Sequence, residues 1–213
     1  NEPLIAEEPV GGKVVKVKEN GPYGYKQYTL SNGATVLIKA TDFKADEITL
    51  RAVSKGGKAL YDECEYINLS EVVDVVKNNG LGNFNTTELQ KVLAGKKAGV
   101  APFVNMYTEG VSGVSTPKDF ETLMQLTYLQ FTAPRLDAEA FATYKSKVKA
   151  MLENQGMNPN TAYNDTIVSM LYNNNPRALS LKVDDVDKID DARILEIYKE
   201  RFANASDFTF IFT

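Results

Sequence analysis

The sequence predicts an α+β fold, with a mixed or antiparallel sheet of about five or six strands that is covered on one face by helices. Strand-like and helix-like segments are grouped along the chain rather than alternating one for one, which favours this class over a parallel α/β sheet. The chain has 213 residues, of which 43% are hydrophobic and 24% are charged. Both fractions are near the average for globular domains, and the length is sufficient for one sizeable core.

A β-hairpin opens the compact part of the chain. The dipeptide Asn-Gly at 32–33 stands between two β-prone runs, 28–30 and 34–39, and both turn residues tolerate positive φ. A third strand is predicted over 47–54, where apolar residues recur at every second position. Upstream, at 13–18, valines alternate with lysines, which is typical of a protected edge strand.

Two helices and two further strands are predicted in the middle of the chain. The first helix covers about 65–79, and the second begins at Asn85. Asn85 can cap this second helix, with Glu88 three positions on, as in a capping box. The strands are predicted over 99–107 and 109–115, joined by a tight turn.

Four helices are predicted between these strands and a final strand. Thr116 is the expected N-cap of the first helix, with Pro117 at the first helical position. The expected caps of the other three helices are Asp137, Asn158 and Asp190. The final strand is predicted over 207–213.

The third of these four helices carries an apolar stripe. Tyr163, Ile167, Met170 and Leu171 recur at helical spacing, so they fall on one side of the helix. Aromatic and aliphatic residues at such spacing throughout the chain are interpreted as core, with a few lining an interface.

Composition excludes most catalytic classes. The chain has no histidine, so it can form neither a Ser-His-Asp triad nor an H-x-x-E-H zinc motif. Its single cysteine, Cys64, lacks an imidazole base and is interpreted as a small apolar residue. The net charge of −4 argues against a nucleic-acid partner, and no apolar run is long enough for insertion into a membrane.

The remaining chemical motifs have simpler structural explanations. The acidic run at 184–191 fails the EF-hand pattern, and we interpret Asp184 or Asp185, and then Asp190, as helix caps. The glycines at 80–82 and 110–113 are too few for a phosphate-binding loop. A catalytic pair of carboxylates remains a distant alternative, and its signature would be a buried pair with raised pKa in a cleft.

Several strings resemble those of insulinase/pitrilysin-type zinc metallopeptidase domains, and the resemblance extends over about 25–213. The strings are YTLSNGATVLIK at 28–39, TDFKADE at 41–47, GLGNF at 80–84, LQKVLAGK at 89–96, TPKDFETL at 116–123, FTAPRLD at 131–137 and YKERFANASDFTF at 198–210. The resemblance implies a metallopeptidase-type α+β domain, one of several homologous domains that enclose a chamber for unfolded peptides.

The resemblance also implies a place in a larger protein. Residues 1–24 would be an interdomain linker, and 25–213 would be a single non-catalytic domain, the third of four in a large bacterial member. The parent protein would be a zinc metallopeptidase, a hydrolase, whose zinc lies on another domain. This segment alone would not be an enzyme, and the periplasm or cell envelope is the implied location of the parent.

The metal motif of the family does not carry over to this sequence. The string NLSEV at 68–72 lies where the family has H-x-x-E-H, and Glu71 alone matches. Asn68 is a poor zinc ligand and Val72 is none. We therefore predict no catalytic, cofactor-binding or metal-ligating residue in this segment.

Two functions remain open. In the first, the domain is a structural and substrate-enclosing part of a zinc-dependent endopeptidase, and it contacts its sibling domains and unfolded peptide. In the second, it is a pseudo-peptidase module for protein–protein interaction without associated catalysis. A domain separated from its siblings should expose the apolar surface that faced them, so we predict an exposed apolar patch on the sheet face that helices leave open, and self-association of the separated domain.

Overall fold

A computed structural model describes residues 3–20 and 22–213 of the chain, with Asn20 described by its backbone only. Within these residues, no helix has the length and apolar character needed to cross a membrane. The strands are β1 Val14–Asn20, β2 Tyr25–Leu30, β3 Thr35–Ile38, β4 Ile48–Lys55, β5 Ala98–Val104, β6 Thr108–Ser115 and β7 Thr209–Phe212. The helices are α1 Tyr66–Asn78, α2 Thr86–Val92, α3 Phe120–Thr132, α4 Ala138–Gly156, α5 Pro159–Leu171 and α6 Asp191–Phe202.

One mixed sheet contains all of these strands, in the order β1-β2-β3-β7-β4-β6-β5. β7 pairs parallel with β3 and antiparallel with β4, and each remaining pair is antiparallel. The sheet has seven strands rather than the predicted five or six, because the alternating lysine segment forms a full edge strand. The predicted α+β class, with a mixed sheet and helices, is confirmed.

The hairpin of β2 and β3 turns at the predicted dipeptide. Gly33 has a φ of 91°, a conformation that residues with a Cβ rarely adopt. The Asn32 side chain accepts a hydrogen bond from the Ala34 backbone N–H at 3.0 Å. This contact stabilises the turn and fixes the register of Tyr28 opposite Val36.

Part of the predicted linker is built into the sheet. Within 1–24, β1 pairs antiparallel with β2, with Val17 opposite Tyr28. Residues 1, 2 and 21 of that segment lie outside the described residues. The assignment of 1–24 as an interdomain linker stays a prediction, whereas the proposed edge strand is present.

The core lies between one face of the sheet and the helices. Leu50 and Ala52 of β4 and Val111 of β6 are buried on that face, whereas the intervening Thr49 and Arg51 are exposed on the other. This period of two results from the pleat of the strands. The helices contribute the buried residues Leu69, Val72, Val75, Leu123, Phe141, Val148, Ile194, Ile197, Tyr198 and Phe202.

Four of the predicted helix caps are confirmed. The side chains of Asn85, Asp137, Asn158 and Asp190 each accept a hydrogen bond from a backbone N–H in the first turn of their helix. Asn85 also forms the predicted capping box with Glu88. These bonds satisfy N–H groups that have no partner within the helix.

Two predicted caps differ in the structure. A 3₁₀ turn over Pro117–Asp119 precedes α3, and the Thr116 hydroxyl donates to the Asp119 carboxylate at 3.2 Å instead of capping the helix. The segment Val183–Lys188 is a 3₁₀ helix whose N-cap position is Lys182. Asp185 lies inside that helix and accepts the Lys182 backbone N–H at 3.1 Å, so neither Asp184 nor Asp185 is its N-cap residue.

We expect Asp190→Ala to lower the free energy of unfolding by about 1 kcal/mol, because the Arg193 backbone N–H loses its acceptor. Asp184→Ala, a change in the same acidic run, should alter it by less than about 0.5 kcal/mol. Urea denaturation of both variants, followed by circular dichroism, measures the difference. Equal effects of the two substitutions would contradict the assignment of Asp190 as the cap.

Candidate functional site

Helix α1 carries 68–72, the segment that the sequence analysis compares with the zinc motif of insulinase/pitrilysin-type peptidases. The Asn68 amide oxygen accepts the Asp190 backbone N–H at 3.0 Å, so this side chain connects α1 to the start of α6. The Val72 side chain is fully buried in the main core. Asn68 and Val72, which stand at the two positions compared with zinc ligands, therefore pack α1 against its neighbours.

Glu71, the single residue that matches the motif, also has a partner on another helix. Its carboxylate accepts a hydrogen bond from the Tyr144 hydroxyl of α4 at 2.5 Å. Burial, together with the Glu71 carboxylate, raises the pKa of Tyr144, so the phenol stays protonated and remains the donor. Glu71 thus bridges α1 and α4.

Lys58 lines a small pocket beside α1. It interacts electrostatically with Glu71 and Asp74. Burial lowers the pKa of Lys58, and the negative charges of Glu71 and Asp74 oppose this shift. The pocket is also lined by Tyr66 and Arg177, and its volume of about 50 Å³ suits a few water molecules rather than a peptide side chain.

The residues at this position do not fit a zinc ion. The Asn68 amide is bound to a backbone N–H, the Glu71 carboxylate is bound to a phenol, and Val72 is a buried hydrocarbon. Together they do not form a set of metal ligands. Across the described residues, no group of three or more His, Cys, Asp or Glu side chains is arranged to hold a metal. The prediction that this segment carries no catalytic or metal-binding residue remains a prediction.

Two buried acids have lowered pKa values, whereas a catalytic carboxylate pair would include a raised one. Asp119 accepts the Lys97 backbone N–H at 2.9 Å, which is the main reason why its pKa is lowered. Burial alone would raise the pKa of Asp185, but Lys188 and the Lys182 N–H together hold it below its ordinary value. Both groups stabilise the fold as carboxylates, because their depressed pKa favours the charged form.

A polar network that the sequence does not reveal connects the segment before α1 to α6. The Tyr61 hydroxyl donates to Glu200 at 2.6 Å and accepts from the Arg201 guanidinium at 3.0 Å. Burial and the hydrogen bond to Glu200 raise the pKa of Tyr61 to about 12. Arg193 adds an ion pair to Glu65 at 2.8 Å. The partners are more than a hundred positions apart, so no local pattern indicates them.

Cys64 lies in the 3₁₀ turn that precedes α1. Its side chain is exposed. No histidine exists in the chain to act as a base for its thiol.

The sheet face opposite the helices is open and partly apolar. Arg51 lies over the Phe103 ring, 4.6 Å from its centroid, and donates to the Ser112 hydroxyl at 3.2 Å. The strand register puts further apolar side chains on the same face, and each is at least partly exposed: Leu37, Val53, Val114 and Ile211. This is the face on which the sequence analysis expects an exposed patch.

β5 forms one edge of the sheet, next to this open face. The Asn105 N–H donates to the Thr108 carbonyl, and the Lys97 carbonyl accepts from the Thr116 N–H, so the odd-numbered residues point their polar groups toward β6. The even-numbered residues of β5 therefore direct their backbone groups outward. Pro102 is one of them, and it contributes a carbonyl but no N–H to this edge.

Sequence comparison finds relatives that are named as zinc proteases. A zinc protease PQQL-like protein of Arabidopsis thaliana is 23% identical over 211 residues, which cover 99% of this chain and 20% of that protein. A protein of Haemophilus influenzae named "probable zinc protease PqqL" is 25% identical over 123 residues, covering 58% of this chain and 13% of that protein. No family model matches the chain.

Solved structures share the fold over most or all of the chain. The periplasmic protease PqqL of Escherichia coli superposes with a TM-score of 0.80 at 17% identity, over 100% of this chain and 23% of that one. The ferredoxin protease FusC, in complex with Arabidopsis ferredoxin, superposes with a TM-score of 0.77 at 16% identity, over 100% of this chain and 24% of that one. An inactive domain of peptidase M16 from Pseudomonas fluorescens has a TM-score of 0.67 at 17% identity, over 89% of this chain and 46% of that one.

These comparisons confirm the resemblance that the sequence strings indicate. The chain corresponds to about a fifth of the Arabidopsis relative and to about a quarter of the two protease structures. It therefore matches one part of each of these longer proteins.

Proposed function

We propose that the chain is an insulinase/pitrilysin-type domain and a non-catalytic part of a zinc-dependent metalloendopeptidase, which its likeness to proteins named as zinc proteases supports. Its role is to form part of the wall around an unfolded peptide and to pack against sibling domains. The parent protein hydrolyses peptide bonds at a zinc ion held by another domain. The E. coli neighbour is a periplasmic protease, which supports a periplasmic location for this parent.

The contacts of 68–72 in helix α1 support a non-catalytic role. Asn68 and Val72 are engaged in packing, and Glu71 is bound by the Tyr144 hydroxyl. A carboxylate that acts as a general base beside zinc needs ligands next to it that hold the metal, and Asn68 and Val72 do not provide them. Glu71 instead stabilises the packing of α1 on α4.

The open sheet face is the surface that we assign to the chamber wall. It combines small residues of β5 and β6 with the Arg51–Phe103 pair, and a shallow groove is lined by Gly99, Ala101 and Val114. An extended peptide can add to the β5 edge through the outward backbone groups of Ala98 and Val100, which are partly exposed, whereas Val104 is buried. Pro102 interrupts the row of donors, so such contacts are short and independent of the peptide sequence.

The second candidate is a pseudo-peptidase interaction module that never belongs to an active enzyme. The inactive peptidase domain among the structural neighbours favours it, since that likeness does not depend on a catalytic parent. An H-x-x-E-H motif elsewhere in the natural polypeptide would decide for the first candidate.

We expect Glu71→Gln, made in the full natural polypeptide, to leave kcat for an unfolded protein substrate unchanged within about twofold. Glutamine preserves an acceptor for the Tyr144 hydroxyl, and removal of a true general base typically costs about 10²- to 10⁴-fold. The matched control is the same Glu→Gln change in the H-x-x-E-H motif of the parent. Zinc analysis of both variants shows whether each retains its metal.

Two outcomes would contradict the proposal. One is a loss of turnover in Glu71→Gln comparable with the loss in the control. The other is stoichiometric zinc, or peptidase turnover, in a preparation of residues 1–213 alone. A polypeptide without any H-x-x-E-H motif would support the interaction module instead.

A further inference from the structure

Helix α5 is amphipathic with its apolar side turned away from the domain. Tyr163, Ile167, Met170 and Leu171 lie within about 100° of one another on the helix surface. Their exposed fractions are 66%, 37%, 77% and 75%, so the predicted stripe faces solvent rather than the core. None of the α5 side chains, all of which are described, is buried.

The opposite side of α5 faces the domain and is mainly polar. Its half-buried residues are Thr161, Asp165, Val168 and Ser169. Asp165 forms an ion pair with Lys182 on this side of the helix. A surface helix of a self-contained domain has the reverse arrangement, with apolar residues inward.

The exposed stripe is suited to permanent burial against another protein surface. It has no charged residue, and four large apolar side chains present on the order of 500 Å², which is near the largest patch of typical monomers. Spacings of four, seven and eight positions are those with which a helix docks into an apolar groove. Uncharged apolar centres are typical of permanent interfaces rather than of transient ones.

We propose that the α5 stripe is the surface on which a second domain of the same polypeptide docks. This rests on the proposed function, in which sibling domains surround the chain. The Arabidopsis relative extends far beyond the part that matches, since this chain covers 20% of it, so ample chain exists to supply the partner. Unfolded substrate is the less suited occupant, because α5 packs on α4 in the helical layer, on the side away from the open sheet face.

Site-specific thiol labelling of the full natural polypeptide tests this docking. Met170→Cys and Leu171→Cys put thiols in the stripe, and Ala162→Cys puts one at an exposed position on another side of the same helix. We expect the stripe thiols to react at least tenfold more slowly than the control, when each site is followed by mass spectrometry. Circular dichroism confirms that each variant is folded.

Three labelling outcomes would overturn the proposal. Equal rates at the three positions mean that the stripe is uncovered in the full polypeptide. Protection that disappears on dilution to a monomer identifies a second copy as the occupant. Protection that requires added reduced, carboxymethylated protein identifies an unfolded substrate. Zinc or turnover in the segment itself would contradict the proposed function while leaving the labelling ratio unchanged.

Discussion

Gly110→Ala is expected to lower the free energy of unfolding by about 3 kcal/mol or more. A Cβ at this position would lie 1.9 Å from the Ala52 carbonyl oxygen of β4 and 2.7 Å from the Phe103 ring. The first contact is with backbone in the centre of the sheet, so it can be relieved only if β4 and β6 separate. Overpacking of this kind typically costs 1–3 kcal/mol, and more where backbone must move, hence the upper end of about 3 kcal/mol.

The control for this prediction lies on the paired strand. Gly99→Ala adds the same methyl group to β5, where no described atom lies within 4 Å of the new Cβ. It should leave the midpoint of thermal unfolding within about 2 °C of the parent chain, or raise it slightly. A fall of less than about 2 °C for Gly110→Ala would contradict the close approach of β4 and β6.

Phe202→Ala is expected to cost about 3–5 kcal/mol of unfolding free energy, the range found for buried aromatic truncations. The Phe202 ring is 1% exposed and stacks on Tyr198 with centroids 4.3 Å apart. It also contacts Phe131 at 5.4 Å and Phe208 at 5.6 Å, so it connects α6, α3 and the approach to β7. Its loss leaves a cavity between three elements that cannot easily collapse.

Guanidinium denaturation measures this loss as a shift of the midpoint at constant slope. Phe43→Ala is the matched control, because that ring is 92% exposed and its removal should change stability by less than about 0.5 kcal/mol. The denaturation midpoint of Phe202→Leu should lie between those of Phe202→Ala and Phe43→Ala. A midpoint for Phe202→Ala equal to that of the control would contradict the packing of α6 on the sheet.

Local signals account for the parts of the fold that the sequence predicted. The turn at Asn32-Gly33 and the caps Asn85, Asp137 and Asp190 depend on groups within four positions of each other, so a pattern is sufficient to find them. The edge strand with its lysines is of the same kind. The absence of the zinc motif is likewise a property of the sequence itself.

Long-range contacts determine the parts of the fold that the sequence did not predict. The position of β7 between β3 and β4 depends on pairing with strands more than 150 positions away, such as Phe210 with Val36. Periodicity showed that α5 has an apolar side but not which way that side faces, because the contacts of α5 are with distant segments, such as Asp165 with Lys182. In the acidic run the cap Asp190 was predicted correctly, whereas Asp184 and Asp185 were misassigned, because the three residues are equivalent as local capping signals.

The central position of β7 also determines the order in which the molecule can assemble on a ribosome. β1, β2 and β3 form one half of the sheet, β4, β6 and β5 form the other, and β7 joins them. Translation delivers β7 after the other strands and helices described here, so the two halves leave the exit tunnel long before they can be joined. Until then, β3 and β4 each present an unpaired edge, and nascent chains at this stage are the form most open to chaperone binding and to aggregation.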